Sequence, residues 1–325
     1  MKLPRRNFLH LVAGAVALPA VSRAARAQAY PTRPVRIIAG FAPGGATDIA
    51  ARLVGQSLSE RLGQQFVIEN RPGAASNIAT EAVVNAAPDG YTLLVATQVN
   101  AINATLYDKL KFDFLRDIAP IAGIHREALI FEVNPSVPVR TVPDLIMYAK
   151  ANPGKVNMAT SGVGSANHFA GELFKMMTGV NLVHVPYRGG GPSLVDLIGG
   201  QVQVMFATVS SSVEYVRAGK VRALAVTTAT RSELLPDVPA VSEFVPGYET
   251  SYWTGIGAPK NTPAEVVNRL NKEINAALAD PGMKVRLADL GGVPISMKPA
   301  EFGQFIADEI EKAARIVKFA GIRAE

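Results

Sequence analysis

Four short stretches place glycine and hydroxyl residues between an apolar run and a helical pattern: "PGGAT" at 43–47, "RPGAASN" at 71–77, "SGVGSAN" at 161–167 and "RGGGPS" at 188–193. A glycine turn that feeds a helix bares backbone N–H groups, and the helix dipole adds partial positive charge, so each stretch suits a small anion. Taken singly, each is also an ordinary tight turn. Facing one another across a cleft, two from each half of the fold, they would clamp an anion through amides and hydroxyls.

Other chemistries lack their residues. Ser165 sits in "GVGSA", but Val163 and Asn167 stand where the G-x-S-x-G elbow of a nucleophilic serine needs glycine. "GFAPGG" lacks the dinucleotide spacing, "GVGSAN" has Asn167 for the third glycine, and Lys220 in "RAGKVR" is followed by Val221 rather than Ser or Thr. His125, His168 and His184 are scattered without H-E-x-x-H pairing, and cysteine is absent, so no metal or cofactor is expected. His184 lies between two valines and reads as a strand histidine, whereas His168 opens a helix and is a candidate to face the cleft. Asp48 reads first as a dipole-stabilising residue of a helix start and second as a contact to a ligand amine. Arg188 either counters a carboxylate or reaches water. Tyr252 and Trp253 read as packing at a domain junction, with ring edges at one end of the pocket as the alternative.

These loops need strands and helices to position them. "PVRIIAG" at 34–40 reads as a buried strand, and Ile49, Ala50, Leu53, Val54, Leu58 and Leu62 follow at helical spacing, stopped by Gly63. "QFVIEN", the helix "NIATEAVVNAA" and "YTLLVAT" continue the alternation, which predicts a parallel sheet. The pattern restarts near 120–135 with "EALIFEVN" and runs through "VNMATS", "NLVHVPY", "VQVMFAT" and "VRALAVTT" with helices between. After "SYWTGIGAP" at 251–259 only helices remain, the first with Thr262, Pro263 and Glu265 as a capping box, the last from about Pro299 to Phe319. Helices without strands cover an existing sheet. The expectation is a discontinuous domain 1 (30–125 and 253–325) with domain 2 (126–252) inserted, crossed twice near 120–130 and 248–258.

The 325 residues are 48% hydrophobic and 18% charged, which describes globular α/β domains. The formal charge of +6 does not imply nucleic acid, because Lys2, Arg5, Arg6, Arg23 and Arg26 carry five of those charges and the remainder is nearly neutral. Residues 1–29 read as an export signal: basic "MKLPRR", apolar "FLHLVAGAVALPAV", then "ARAQA" with cleavage after Ala27 or Ala29. Arg5-Arg6 resembles a twin-arginine signal; the alternative is a general secretory signal with incidental arginines. Either route ends outside the inner membrane.

"YPTRPVRIIAGFAPGGATDIAARLVG", "FVIENRPGAASNIATEAVVNAAPDGYTLL", "VPYRGGGPSLVDLIGGQVQVMF" and "AVTTATRSELLPDVPAVSEFVPGYE" together resemble the Bug family, extracytoplasmic solute-binding proteins of tripartite tricarboxylate transporters. The resemblance spans nearly the whole mature chain. It implies a type II-like two-domain periplasmic binding protein, each domain a sheet flanked by helices, holding a small carboxylated solute in the cleft through amides, hydroxyls and waters. By position, the first-domain contacts fall on Ala42, Gly44, Ala46, Thr47 and Asp48, with Ala74, Ser76 and Thr97 nearby. The second-domain contacts fall on Ser161, Gly164, Ser165, His168, Tyr187 and Gly189. "GAAS" at 73–76 departs from the family's frequent "GAGG" or "GANG", so the solute is not transferable. The implied role is that of a periplasmic monomer serving membrane permease subunits. A sensor subunit for a membrane receptor and a secreted enzyme on the same scaffold are the alternatives.

Overall fold

Apolar residues on both faces of Val35–Ala39 (β1) are buried, as expected for a strand covered by helices on each side. In Ala46–Leu62 (α1) the buried Ala50, Ala51, Val54 and Leu58 form the stripe that packs on this sheet, and Gly63 ends the helix in the left-handed conformation with its amide on Ser59 O. Phe66–Asn70 (β2), Asn77–Val84 (α2) and Thr92–Thr97 (β3) follow, and both β2 and β3 pair in parallel with β1. Gln98–Leu106 (α3) and the short Phe114–Asp117 (α4) lead to Ile118–Glu127 (β4). This computed structural model describes residues 30–187 and 189–323; the export signal with its cleavage sites, and Arg188, lie outside the described residues. Residues 33–325 form one compact unit; of the other, residues 1–32, only 30–32 are described.

A second layer begins at Leu129–Val133 (β5) and continues through Val142–Ala151 (α5), Val156–Thr160 (β6), Ala166–Thr178 (α6), Leu182–Pro186 (β7) and Gly190–Ile198 (α7). Val204–Thr208 (β8), Val209–Arg217 (α8) and Arg222–Val226 (β9) complete it. The chain returns along Tyr252–Pro259 (β10) and closes with Ala264–Ala279 (α9), Pro281–Asp289 (α10), Gly292–Pro294 (β11) and Pro299–Ala320 (α11).

Among the described residues the strands form two sheets, ordered β11-β4-β10-β3-β1-β2 and β7-β6-β8-β5-β9. Both are mixed: β1, β2 and β3, whose alternation with helices predicts parallel pairing, do pair in parallel, and other strands add antiparallel neighbours. The parallel part is confined to β1–β3 and to β6–β8, whereas β10 runs antiparallel to β3 and β4, and β5 antiparallel to β8 and β9. The cause is the chain path: it leaves the first sheet along β4 and comes back along β10, so these neighbours oppose each other.

Phe131 stacks on Phe206 with ring centroids 4.2 Å apart at the centre of the second layer. The same core takes in Ile102 and Leu106 of α3 and Ala313 and Ile316 of α11, so helices covering the first sheet also seal the second. Trp253 is buried against Phe302 and Phe305, and its indole N–H donates to Glu309 at 3.0 Å. The expected capping box does not form: Thr262 donates to Pro259 O instead, and the helix starts at Ala264. No helix of the described residues is long and apolar enough to cross a membrane.

Candidate functional site

All four glycine stretches border one cavity of about 720 Å³ between the two sheets' loops. Gly44–Thr47 follows β1, Ala75 follows β2, Ser161, Val163 and Ser165 follow β6, and Gly189–Gly191 follows β7. A fifth loop joins them, with Thr208, Ser210 and Ser211 at the junction of β8 and α8. The N-cap positions of α1, α6, α7 and α8 are Gly45, Ser165, Gly189 and Thr208, and every one lines the cavity. The first amides of a helix have no carbonyl one turn back to bond, so four positive dipole ends converge here, although at α6 the His168 amide is already taken by Asn167 Oδ1 and Ser165 Oγ. No described lining residue carries a formal charge. Such an arrangement is suited to holding an anion with dipoles rather than counter-ions.

The residues behind the loops hold them in shape. Asp48 is buried and accepts from Gly44 N, Arg52 Nε and Asn70 Nδ2, each at 2.9 Å. Burial pushes its carboxyl up, but Arg52, the Gly44 amide and Asn70 together hold it below its ordinary value. Asp48 therefore stays ionised behind the turn and does not line the cavity. His168 is likewise buried, stacked on His184 at 3.8 Å, with its Nδ1 accepting the Gly164 amide at 3.2 Å. Burial, with His184 and Lys175 nearby, depresses its imidazole to about 3, so the neutral ring is the acceptor that fixes the loop. Asn167 completes that loop: its Oδ1 accepts from Ser161 N at 3.1 Å, and its Nδ2 donates to Ser161 Oγ at 2.9 Å.

Of the residues singled out from the sequence, Gly44, Ala46, Thr47, Ser161, Ser165 and Gly189 border the cavity. Ala42, Asp48, Ala74, Ser76, Thr97, Gly164, His168 and Tyr187 do not. Ala42 and Ala74 are exposed beside lining residues, and Ser76 is buried one position past Ala75. Thr97 caps α3, its amide and hydroxyl both directed to Asn100 Oδ1. Tyr187 donates its hydroxyl to Asp196 at 2.7 Å. Sequence reasoning missed Phe41, just ahead of the first glycine turn, Tyr107 and Leu290, which come from distant segments, and the Thr208–Ser211 loop, whose signal was another strand running into a hydroxyl-rich helix start.

The departure at "GAAS" has a backbone consequence. Ala74, Ala75 and Ser76 all have positive φ, at 45°, 49° and 73°, a conformation that costs an L-residue roughly 1–2 kcal/mol. Asn103 holds the turn, with Nδ2 donating to Ala75 O at 2.7 Å and to Asn77 Oδ1 at 2.9 Å. Ala75→Gly is expected to raise unfolding free energy by about 1 kcal/mol, since glycine adopts this φ freely. Urea denaturation checks it; a destabilised variant would show that the Ala75 methyl contributes more packing than its backbone loses.

A model of the tripartite tricarboxylate transporter family receptor matches residues 50–322. Protein BugT of Bordetella pertussis is 35% identical over 311 residues, 95% of each chain. Among solved structures, Rpa4515 of R. palustris with adipate superimposes with a TM-score of 0.83 at 39% identity, covering 90% of this chain and 99% of that one. MatC (Rpa3494) of Rhodopseudomonas palustris with bound malate gives 0.79 at 32% identity, covering 89% and 100%.

Proposed function

The chain belongs to the tripartite tricarboxylate transporter receptor family, and on that premise we propose that it captures a small organic carboxylate in the cavity between its two sheets and hands it to membrane permease subunits. The observation that carries this reading is the convergence of four helix N-termini, one from the first layer and three from the second, on one cavity bordered by glycine and hydroxyl residues. Carboxylates are the ligands of two structural relatives, adipate for Rpa4515 and malate for MatC.

The two lobes are taken as 30–125 with 253–325, and 126–252. The solute's carboxylate meets the amides of the Gly44–Thr47 and Gly189–Gly191 turns and the hydroxyls of Ser161 and Ser165. Asp48, His168 and Thr97 act one step back, as supports of those turns. The export signal supports a periplasmic location, and the protein acts as a monomer. It binds without converting: the Ser165 hydroxyl lies within hydrogen-bond distance of Gly162 O and Asn167 Oδ1 and has no basic partner among the described residues.

Thermal denaturation of the processed protein against mono-, di- and tricarboxylates tests this reading. A ligand at ~100 times its dissociation constant stabilises the folded state by about 2.7 kcal/mol, so at least one acid should raise the midpoint, and mass spectrometry after long incubation should return it unaltered. Product in stoichiometric excess would make the protein an enzyme, and no shift with any carboxylate would remove the binding reading.

A further inference from the structure

The cavity is dressed with more than anion donors. Phe41, Tyr107 and Tyr252 reach it from the β1 loop, the end of α3 and the start of β10, with Val163 and Leu290 beside them. None of these three rings stacks on another ring among the described residues, although rings elsewhere in the core pair closely. The Tyr252 hydroxyl is tied to Thr47 Oγ1, which fixes the ring at the edge of the α1 turn. The Tyr107 phenol makes no hydrogen bond among the described residues. Phe41 and Tyr107 are only half-buried, so their surfaces are open to a solute.

We infer that the solute is a carboxylate with a flat aromatic body, its carboxylate on the glycine turns and its ring among Phe41, Tyr107 and Tyr252. This rests on the reading of the cavity as a carboxylate site. Aromatic rings prefer offset or edge-on partners, and three unpaired rings around one space provide them. A hydroxylated four-carbon acid fits less well. It offers no flat face to Phe41 and Tyr107, and it would leave much of the 720 Å³ to water.

Titration calorimetry of the processed protein with benzoate, 3-phenylpropanoate, adipate, malate, citrate and benzamide separates the cases. An aromatic acid is expected to bind at least tenfold more tightly than malate, adipate or citrate, and benzamide, which lacks the carboxylate, not to bind. Phe41→Ala and, as a second variant, Tyr107→Leu should each weaken the aromatic acid about tenfold. Tighter binding of adipate, malate or citrate would overturn the aromatic body and leave the carboxylate reading standing. Aromatic-acid affinity unchanged in both folded variants would overturn the placement of the ring. No binding by any acid would defeat the carboxylate reading and this inference with it.

Discussion

Gly45→Val is expected to fold and to lose most of its affinity for solute. Gly45 caps α1 at φ −83°, a conformation open to any residue, and beyond its chain neighbours a Cβ there would meet only Ala42 O among the described residues, 3.8 Å away. The cost to stability is therefore that of a poorer helix cap, about 1 kcal/mol or less. The branched side chain would stand at the cavity wall where a carboxylate must approach the amides of Ala46 and Thr47. Loss of these close contacts should weaken binding by at least tenfold, which corresponds to ~1.4 kcal/mol. Gly189→Val probes the opposite wall, but at φ +113° it also carries backbone strain, so its loss of affinity must be read within the variant, with and without ligand. If both variants fold and keep the full ligand-dependent thermal shift, the solute does not sit at these turns.

Stability should peak at about pH 6.2 and fall on the alkaline side through two buried carboxyls. Glu127 and Glu132 are pushed up to about 8 by burial, each with one oxygen left without a partner among the described residues. Between about 4.5 and 8 the folded chain keeps protons on these groups that the unfolded chain has released, so their contribution declines as pH rises. The histidines work the other way. Burial lowers His125 and His184 to about 4 and, with His184 and Lys175 nearby, His168 to about 3. Below about 6.5 the unfolded chain takes up protons on them that the folded chain does not, so this contribution falls with falling pH. Three imidazoles outweigh two carboxyls below about pH 6.2, and from about 7.5 the carboxyls act alone, each at about 1.4 kcal/mol per pH unit. Glu132 accepts from Ser212 Oγ at 2.6 Å and is fully buried, so Glu132→Gln keeps an acceptor and should remove about half of the alkaline slope. Urea midpoints from pH 5 to 8.5 decide it; a variant with the wild-type slope would show that Glu132 does not titrate in this range.

The glycine turns were legible because a turn that carries a strand into a helix at a cavity wall leaves its mark on composition: strand, glycine or hydroxyl, helix. The Thr208–Ser211 turn has the same architecture without glycine, so a glycine criterion passed over it. The sequence leaves Tyr252 between junction packing and a pocket edge, and it lines the cavity; Tyr107 and Leu290 carry no such signal, since only the folded chain brings the ends of α3 and α10 to one cavity. Asp48 and His168 lie next to lining residues in sequence, yet Asp48 accepts the Gly44 amide and His168 the Gly164 amide, so both side chains brace the loops from behind. β4 escaped because its alternating small, charged and apolar residues resemble a loop, and the three residues of β11 carry no strand signal apart from their neighbour, β4.

The most direct test of the account is a crystal structure of the processed protein with its bound solute. The account predicts a carboxylate oxygen within hydrogen-bond distance, roughly 2.7–3.2 Å, of the amides at Gly45–Thr47, with Ser161 or Ser165 and the Gly189–Gly191 turn closing from the other side. A solute lodged elsewhere, for instance in the separate cavity of about 470 Å³ beside Lys284 and Asn275, would contradict it.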